Sequence, residues 1–285
     1  MKNLKKFLRD NWIGVIFIDC FRRIKRYSNI AFGRSVHFVI KKNFLKKNIV
    51  RMGTDYGGWT FVETKDLKNS VIISAGLGED ASFDVEYATK YKSMVIIIDP
   101  TPRAIKHFNE IKKNIGKTAS KSYPDEGDIP IDAYDLSSIN DSQLILEASA
   151  LWIFDEKIKF FEPPNPEHVS FSINNFQNNY SNDTDFIEVD GITLEKLFTK
   201  YNINKYDIPI LKMDIEGAEI EIISYLCDKK IFPKQLLIEF DELNRPSRIA
   251  AKRIKNAHRN LITNGYSLIW TDNAADFLYV HESFQ

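Results

Sequence analysis

The sequence predicts an α/β fold: a mostly parallel sheet with helices on both faces, preceded by a basic extension over residues 1–50. Three observations carry this. From Val71 onward, short β-branched runs alternate with segments of helical period, the pattern of strands buried on both faces and joined by crossing helices. Glycines follow the first such strand and an acid ends the second. The charge is uneven: residues 1–50 hold 13 Lys and Arg against 2 Asp, whereas the whole chain of 285 residues carries 39 of each sign. The other 235 residues therefore carry the compensating −11.

A content of 44% hydrophobic and 27% charged residues suits a globular body. Cys20 and Cys227 give neither a disulfide framework nor a zinc spacing, which fits a reducing, cytoplasmic setting. In the extension, WIGVIFIDCF is too short to span a bilayer, is interrupted by Asp19 and lacks a secretory cleavage signal. Lys5, Lys6, Arg9, Arg22 and Arg23 flank it, so two readings stand: peripheral contact with the anionic inner membrane surface, or packing on the chain's own acidic body. Nucleic acid is not an expected partner, because the basic residues are not interleaved with aromatics in a recognisable module.

The elements follow in order. RMGTDYGGWTF places a tight turn at Gly57–Gly58 between short strands. VIIS (71–74) is a buried strand, and Phe83, Tyr87, Ala88 and Tyr91 mark one face of the next helix. MVIIID (94–99) is the second strand; Thr101 then stands at an N-cap and Pro102 at the first helical position, with Ile105, Phe108 and Ile111 continuing the stripe. Between residues 120 and 188 the periodicity fades, and ALWIFDEKIKFFEPPNPEH reads as a hairpin trailing into a proline-rich loop. Thr193 opens a helix carrying Leu194, Leu197, Phe198 and Tyr201. IPILKMD is the fourth strand, followed by a helix with Ile220, Ile223 and Leu226, and QLLIEF (235–240) is the next strand. Ser247 caps a long helix that Asn264–Gly265 stops. YSLIW and DFLYVH close the chain as an antiparallel hairpin around Asp272 and Asn273.

The segment VIISAGLGED…IIID brings strand, glycine turn, helix, strand and acid together. Ala75, Gly76, Leu77 and Gly78 form the turn, where a ligand can approach the backbone. Asp80 and Ser82 stand at the helix start, and Asp99, Pro100 and Thr101 at the second strand's end. Asp99 lies 21 positions beyond Gly78, a spacing suited to gripping ribose hydroxyls. Gly76-x-Gly78-x-x-Ala81 also satisfies the dinucleotide fingerprint, which leaves an NAD-dependent oxidoreductase as the alternative. Glu79 and Asp80 weigh against a pyrophosphate and favour S-adenosyl-L-methionine, whose sulfonium and ammonium suit acidic neighbours. Tyr56 and Trp59, in YGGW, are placed to cover a sulfonium by cation–π contact.

Three blocks carry a family resemblance: GTDYGGW, SAGLGEDASFD…IDPTP and LKMDIEGAEIEII. Over residues 51–285 the chain resembles the FkbM-type S-adenosylmethionine-dependent methyltransferases. The last block is close to their Lys-x-Asp-x-Glu-Gly-Ala-Glu signature. The resemblance implies a class I, Rossmann-like sheet of seven strands, mostly parallel with the last antiparallel. It also implies methyl transfer to hydroxyl oxygens, commonly of sugars in surface glycans. One departure is Ser74, which stands where many class I methyltransferases carry an acid at the first strand's end, so the cofactor's amino group would need another partner.

In open α/β sheets ligands bind beyond the carboxyl ends of the strands, which places Asp214 at the site. Methyl transfer to an alcohol needs a group that orients the hydroxyl and takes its proton. Asp214 is the first candidate, Glu216 the second and Glu239 the third, with Lys212, His168 and His37 weaker. Asp214 as an N-cap of the following helix is the competing reading, and Glu219 and Glu221 read as helix surface. No metal is expected, although the three carboxylates offer oxygen ligands. A non-catalytic domain tethered through its basic arm is a further alternative.

Overall fold

The computed structural model describes residues 12–41, 48–124, 128–163, 171–173 and 183–284. Helix α1 (Trp12–Ala31) lies in the extension, and β1 (Ile49–Met52) pairs antiparallel with β2 (Trp59–Val62) around the expected glycine turn. The body then runs β3 (Val71–Ala75), α2 (Ser82–Tyr91), β4 (Met94–Ile98), α3 (Pro102–Lys113), β5 (Leu144–Glu147), β6 (Ala150–Leu151), β7 (Lys157–Phe161) and β8 (Phe186–Ile192). It continues through α4 (Leu194–Tyr201), β9 (Ile210–Met213), α5 (Glu219–Lys229), β10 (Gln235–Glu239), α6 (Arg248–Thr263), β11 (Tyr266–Thr271) and β12 (Asp276–His281).

Seven strands form one sheet in the order β11-β12-β10-β9-β3-β4-β5. β10, β9, β3, β4 and β5 run parallel, and only β12, the last strand, runs against the other six. Alternate side chains of each strand feed opposite faces. Ile73, Ile96, Leu211 and Leu236 pack with α4, α5 and α6. Ile72, Val95, Ile210 and Leu237 pack with α2, α3 and the β1–β2 hairpin. The helical stripes expected from spacing are the buried ones: Phe83, Tyr87, Ala88 and Tyr91 on α2, Leu194, Leu197 and Phe198 on α4. Thr193 and Ser247 cap their helices with side-chain oxygens.

The 150–161 stretch is not a hairpin. β6 and β7 never pair with each other: β8 lies between them, parallel to β6 and antiparallel to β7. The sequence FIEVDGI that fills the gap is half polar because one face of this small sheet is open to solvent, so its apolar signal is weak. Pro164–His168 lies outside the described residues. In the extension, Val36 is buried, Phe38 stacks on His258 with ring centroids 3.8 Å apart, and the Lys41 amide donates to the Leu268 carbonyl on edge strand β11.

Candidate functional site

The parallel strands all end on one edge of the sheet, and the site is built there. β3 delivers the chain into the Gly76–Gly78 turn, with φ +87° at Gly76 and +56° at Gly78, conformations that cost a glycine little. Asp99, at the end of β4, holds this turn. One carboxylate oxygen accepts from the amides of Leu77 (2.9 Å) and Gly78 (3.0 Å), the other from the Thr101 amide (2.8 Å) and hydroxyl (2.7 Å). Two donors on each oxygen fill the lone-pair positions of a carboxylate. Asp99 thus shapes the turn from within, and Thr101 spends its hydroxyl on Asp99 rather than on capping α3.

Asp80 fastens the β1–β2 hairpin to the same place. It accepts from the Thr54 hydroxyl at 2.6 Å and from the Ser82 amide at 2.8 Å, while the Ser82 hydroxyl takes the Thr54 amide at 2.9 Å. Gly57 is required by proximity: a Cβ there would sit 2.5 Å from the Asp80 carboxylate.

At the end of β9, Lys212 is buried on the face where its neighbours are core aliphatics. Its position is paired with Ser74 in the ladder, and its ammonium donates to the Gly76 carbonyl and lies 5.4 Å from the Trp59 ring centroid. Asp84, on the first turn of α2, is buried beside it. Burial pushes the Asp84 carboxyl up to about 6, against the opposing pull of the Lys212 charge and the Ser74 hydroxyl. Asp84 lies outside the cavity wall, so it balances Lys212 rather than meeting a ligand.

The DIEGAE loop is bound by its own side chain. Asp214 donates its amide to the Ala75 carbonyl at 3.0 Å. Glu216 (φ +52°) and Gly217 (φ +96°) turn the chain back, and Glu219 accepts from the amides of Ile215 (3.2 Å) and Gly217 (3.1 Å). Glu219 is therefore not helix surface: it is 1% exposed, and burial raises its pKa well above the ordinary carboxylate range. Glu221 is half-buried and ion-paired with Arg253 at 2.9 Å. Nor does Asp214 cap α5, which begins at Glu219 with Ala218 in the cap position. No side chain caps that helix; Glu219 instead binds the amides of the loop before it, and Asp214 is left in the cavity wall.

Opposite stands an acid group from β10 and β12. Glu239 is directly across from Asp276 in the ladder, and Asp214 and Glu239 stand in the same cavity wall. Burial raises both, and each is raised further by neighbouring acids: Asp241 acts on Asp214, and Asp214 and Asp276 act on Glu239. Asp276 is pushed up to about 7, by burial first and then by Asp272 and Asp214. Among the described residues no group of three acids, histidines or cysteines is arranged to hold a metal ion.

These elements enclose a cavity of about 610 Å³. Its wall includes Tyr56, Gly76, Leu77, Gly78, Asp80, Asp99, Pro100 and Thr101 together with Asp214, Glu216 and Glu239. Ala75 and Ser82 are fully buried and outside that wall: they act through the Ala75 carbonyl and the Ser82 hydroxyl, which fix Asp214 and Thr54. His37 is exposed on the extension and away from the wall, and His168 lies outside the described residues. The small β6–β8 sheet adds Phe160 to an apolar side of the wall, with Phe171 and Ile173.

Residues 75–249, from the glycine turn to the start of α6, match the methyltransferase FkbM domain. The chain belongs to the FkbM methyltransferase family. No curated protein and no solved structure matches it significantly. The FkbM match spans both strand ends that form the cavity, while the β1–β2 hairpin and the β11–β12 pair that complete the wall lie outside it. Asp84, Asp241 and Asp276 carried no local signal of a site. Asp84 sits at a helical position like any first-turn acid, and Asp276 reaches the cavity only because β12 inserts beside β10.

Gly76 links the two halves of this FkbM site. A methyl group there would overlap the Asp214 carbonyl, and its φ is unfavourable for alanine. Gly76→Ala is expected to lower stability by about 2–3 kcal/mol, through overpacking and backbone strain together. A denaturant melt checks this, and an unchanged midpoint would show that the turn is not packed against Asp214.

Proposed function

We propose that this FkbM protein is an S-adenosyl-L-methionine-dependent O-methyltransferase of class I architecture, acting on a sugar hydroxyl in surface glycan or polysaccharide biosynthesis. The observation that carries it is the convergence, in one cavity, of a glycine turn held by Asp99 and two strand-end acids, Asp214 and Glu239, whose carboxyls burial raises. The sheet order, with its one antiparallel strand inserted at position six of seven from the β5 edge, supports the class I reading.

The wall fits the proposed cofactor. It is rich in carboxylates, which suit a ligand bearing a sulfonium and an ammonium, and its volume suits a nucleoside-sized ligand with room beside it. The dinucleotide alternative is disfavoured at the helix start, because Asp80 already occupies the Ser82 amide where a pyrophosphate would bind, and adds negative charge there. Gly76, Leu77, Gly78 and Pro100 would border the cofactor, with Tyr56 and Asp80 on its open side. When bound, it supplies an electrophilic methyl group.

The chain's own residues do the rest. Asp214 in its ionised form accepts the acceptor's hydroxyl proton, with Glu239 beside it in the same wall. Glu216, Asp241 and Asp276 make the acceptor end strongly acidic, which favours a neutral polyhydroxyl compound over an anionic one. Phe160 and Phe171 offer the apolar side that a sugar ring can lie against. Calorimetry is expected to show saturable binding of S-adenosylhomocysteine and none of NAD. Mass spectrometry of glycans from cells with and without the active protein is expected to show the loss of one methyl increment. NAD binding with no S-adenosylhomocysteine binding would overturn the proposal.

A further inference from the structure

We propose that α1 and the turn after it form a docking surface for an anionic lipid membrane. At 100° per residue, Cys20, Phe21, Ile24, Tyr27 and Ala31 share roughly a third of the helix circumference. The large side chains of this arc are open to solvent: Phe21 and Ile24 are each 62% exposed and Tyr27 66%, and Phe32 in the following turn is 62% exposed. Arg23, Lys25 and Arg26 fall on the opposite arc. Among the described residues, no strand or helix of the body packs extensively along α1. The next segment is anchored: Val36 is buried, Phe38 stacks on His258, and Arg248 donates to the Phe32 carbonyl at 3.4 Å. The amphipathic helix is therefore held to the catalytic body by a short packed strap.

Charge selects the occupant. An aromatic and aliphatic stripe beside a cationic arc is the composition that lies in a headgroup layer and draws on anionic lipid. A second copy of α1 would bring like charges alongside these, and would repel. A nucleic acid would reward the cations but gain nothing from exposed Phe21 and Ile24.

Vesicle flotation of the full chain tests this, using phosphatidylcholine alone and phosphatidylcholine mixed with phosphatidylglycerol. The chain is expected to float with the anionic vesicles, less so as salt rises, and to stay in solution with neutral ones. Phe21→Glu with Ile24→Glu is expected to abolish flotation, and Lys25→Glu with Arg26→Glu to weaken it by roughly tenfold or more. Both variants should keep the wild-type melting temperature, because Phe21, Ile24 and Lys25 are exposed and Arg26 is only half-buried. Binding that neither variant alters overturns the proposal, as does equal binding to neutral vesicles. A melting temperature lowered by the Phe21 and Ile24 change would show that this arc packs on the body, and would also overturn it. So would a dimer in light scattering that the same change dissolves.

Discussion

Asp214→Asn is expected to lower the rate of methyl transfer by about 10²- to 10⁴-fold, the range that a positioned general base contributes, while S-adenosylhomocysteine still binds. The substitution keeps the shape and the backbone bond to Ala75 but removes the site's proton acceptor. The pH profile gives the second readout. Burial raises the Asp214 and Glu239 carboxyls, so the base is ionised only above the usual carboxylate range. Wild-type activity should therefore climb with pH through an elevated apparent pKa and fall away in acid. Asp241→Asn removes an acid that raises the Asp214 carboxyl, and should move that limb to lower pH. A variant at Asp214 with full activity would remove this residue from the chemistry. Lost activity together with lost cofactor binding would assign it to the binding half of the cavity instead.

Lys212→Met should be the most destabilising single change at the site, by about 3–5 kcal/mol, because it deletes one partner of a buried charged set. Its ammonium holds the Gly76 carbonyl and lowers the pKa of Asp84, Asp214 and Asp276 against their burial. The pH dependence has a definite sign. These carboxyls have folded pKa values above their unfolded values near 4, so the native chain binds more protons in the window between them. Stability from these groups is thus fully present below the unfolded value. It declines as pH rises through about 6 for Asp84 and about 7 for Asp276. Removing Lys212 raises the carboxyls further, so the drop in melting temperature should be larger at pH 8 than at pH 5. Adding Asp84→Asn should recover part of the loss, since a neutral group needs no counter-charge. An equal loss at both pH values would mean that Lys212 acts by packing alone.

The fold and the location of the site were legible in the sequence because both rest on local patterns. β-branched runs of four to six residues could be buried only in a central parallel sheet, and the cap signals at Thr193 and Ser247 operate within one helical turn. The glycine turn and Asp214 follow from strand ends, since parallel strands open their ligand site on one edge. The β6–β8 sheet was misread because a half-exposed strand such as FIEVDGI has no continuous apolar run, and its pairing skips over a neighbour in the chain.

What the sequence alone determined about this protein is the sheet, the FkbM signature blocks and the strand edge where the cavity opens. Tertiary structure alone decided how the acids divide their work. Glu219 turns inward to bind the loop, Asp99 is consumed by the turn, Asp84 is buried beside Lys212, and Asp276 arrives from the last strand. The reason is physical: a carboxylate's role depends on which donors and charges surround it and how far water is excluded, and those neighbours come from residues more than a hundred positions away, as Lys212 is from Asp84.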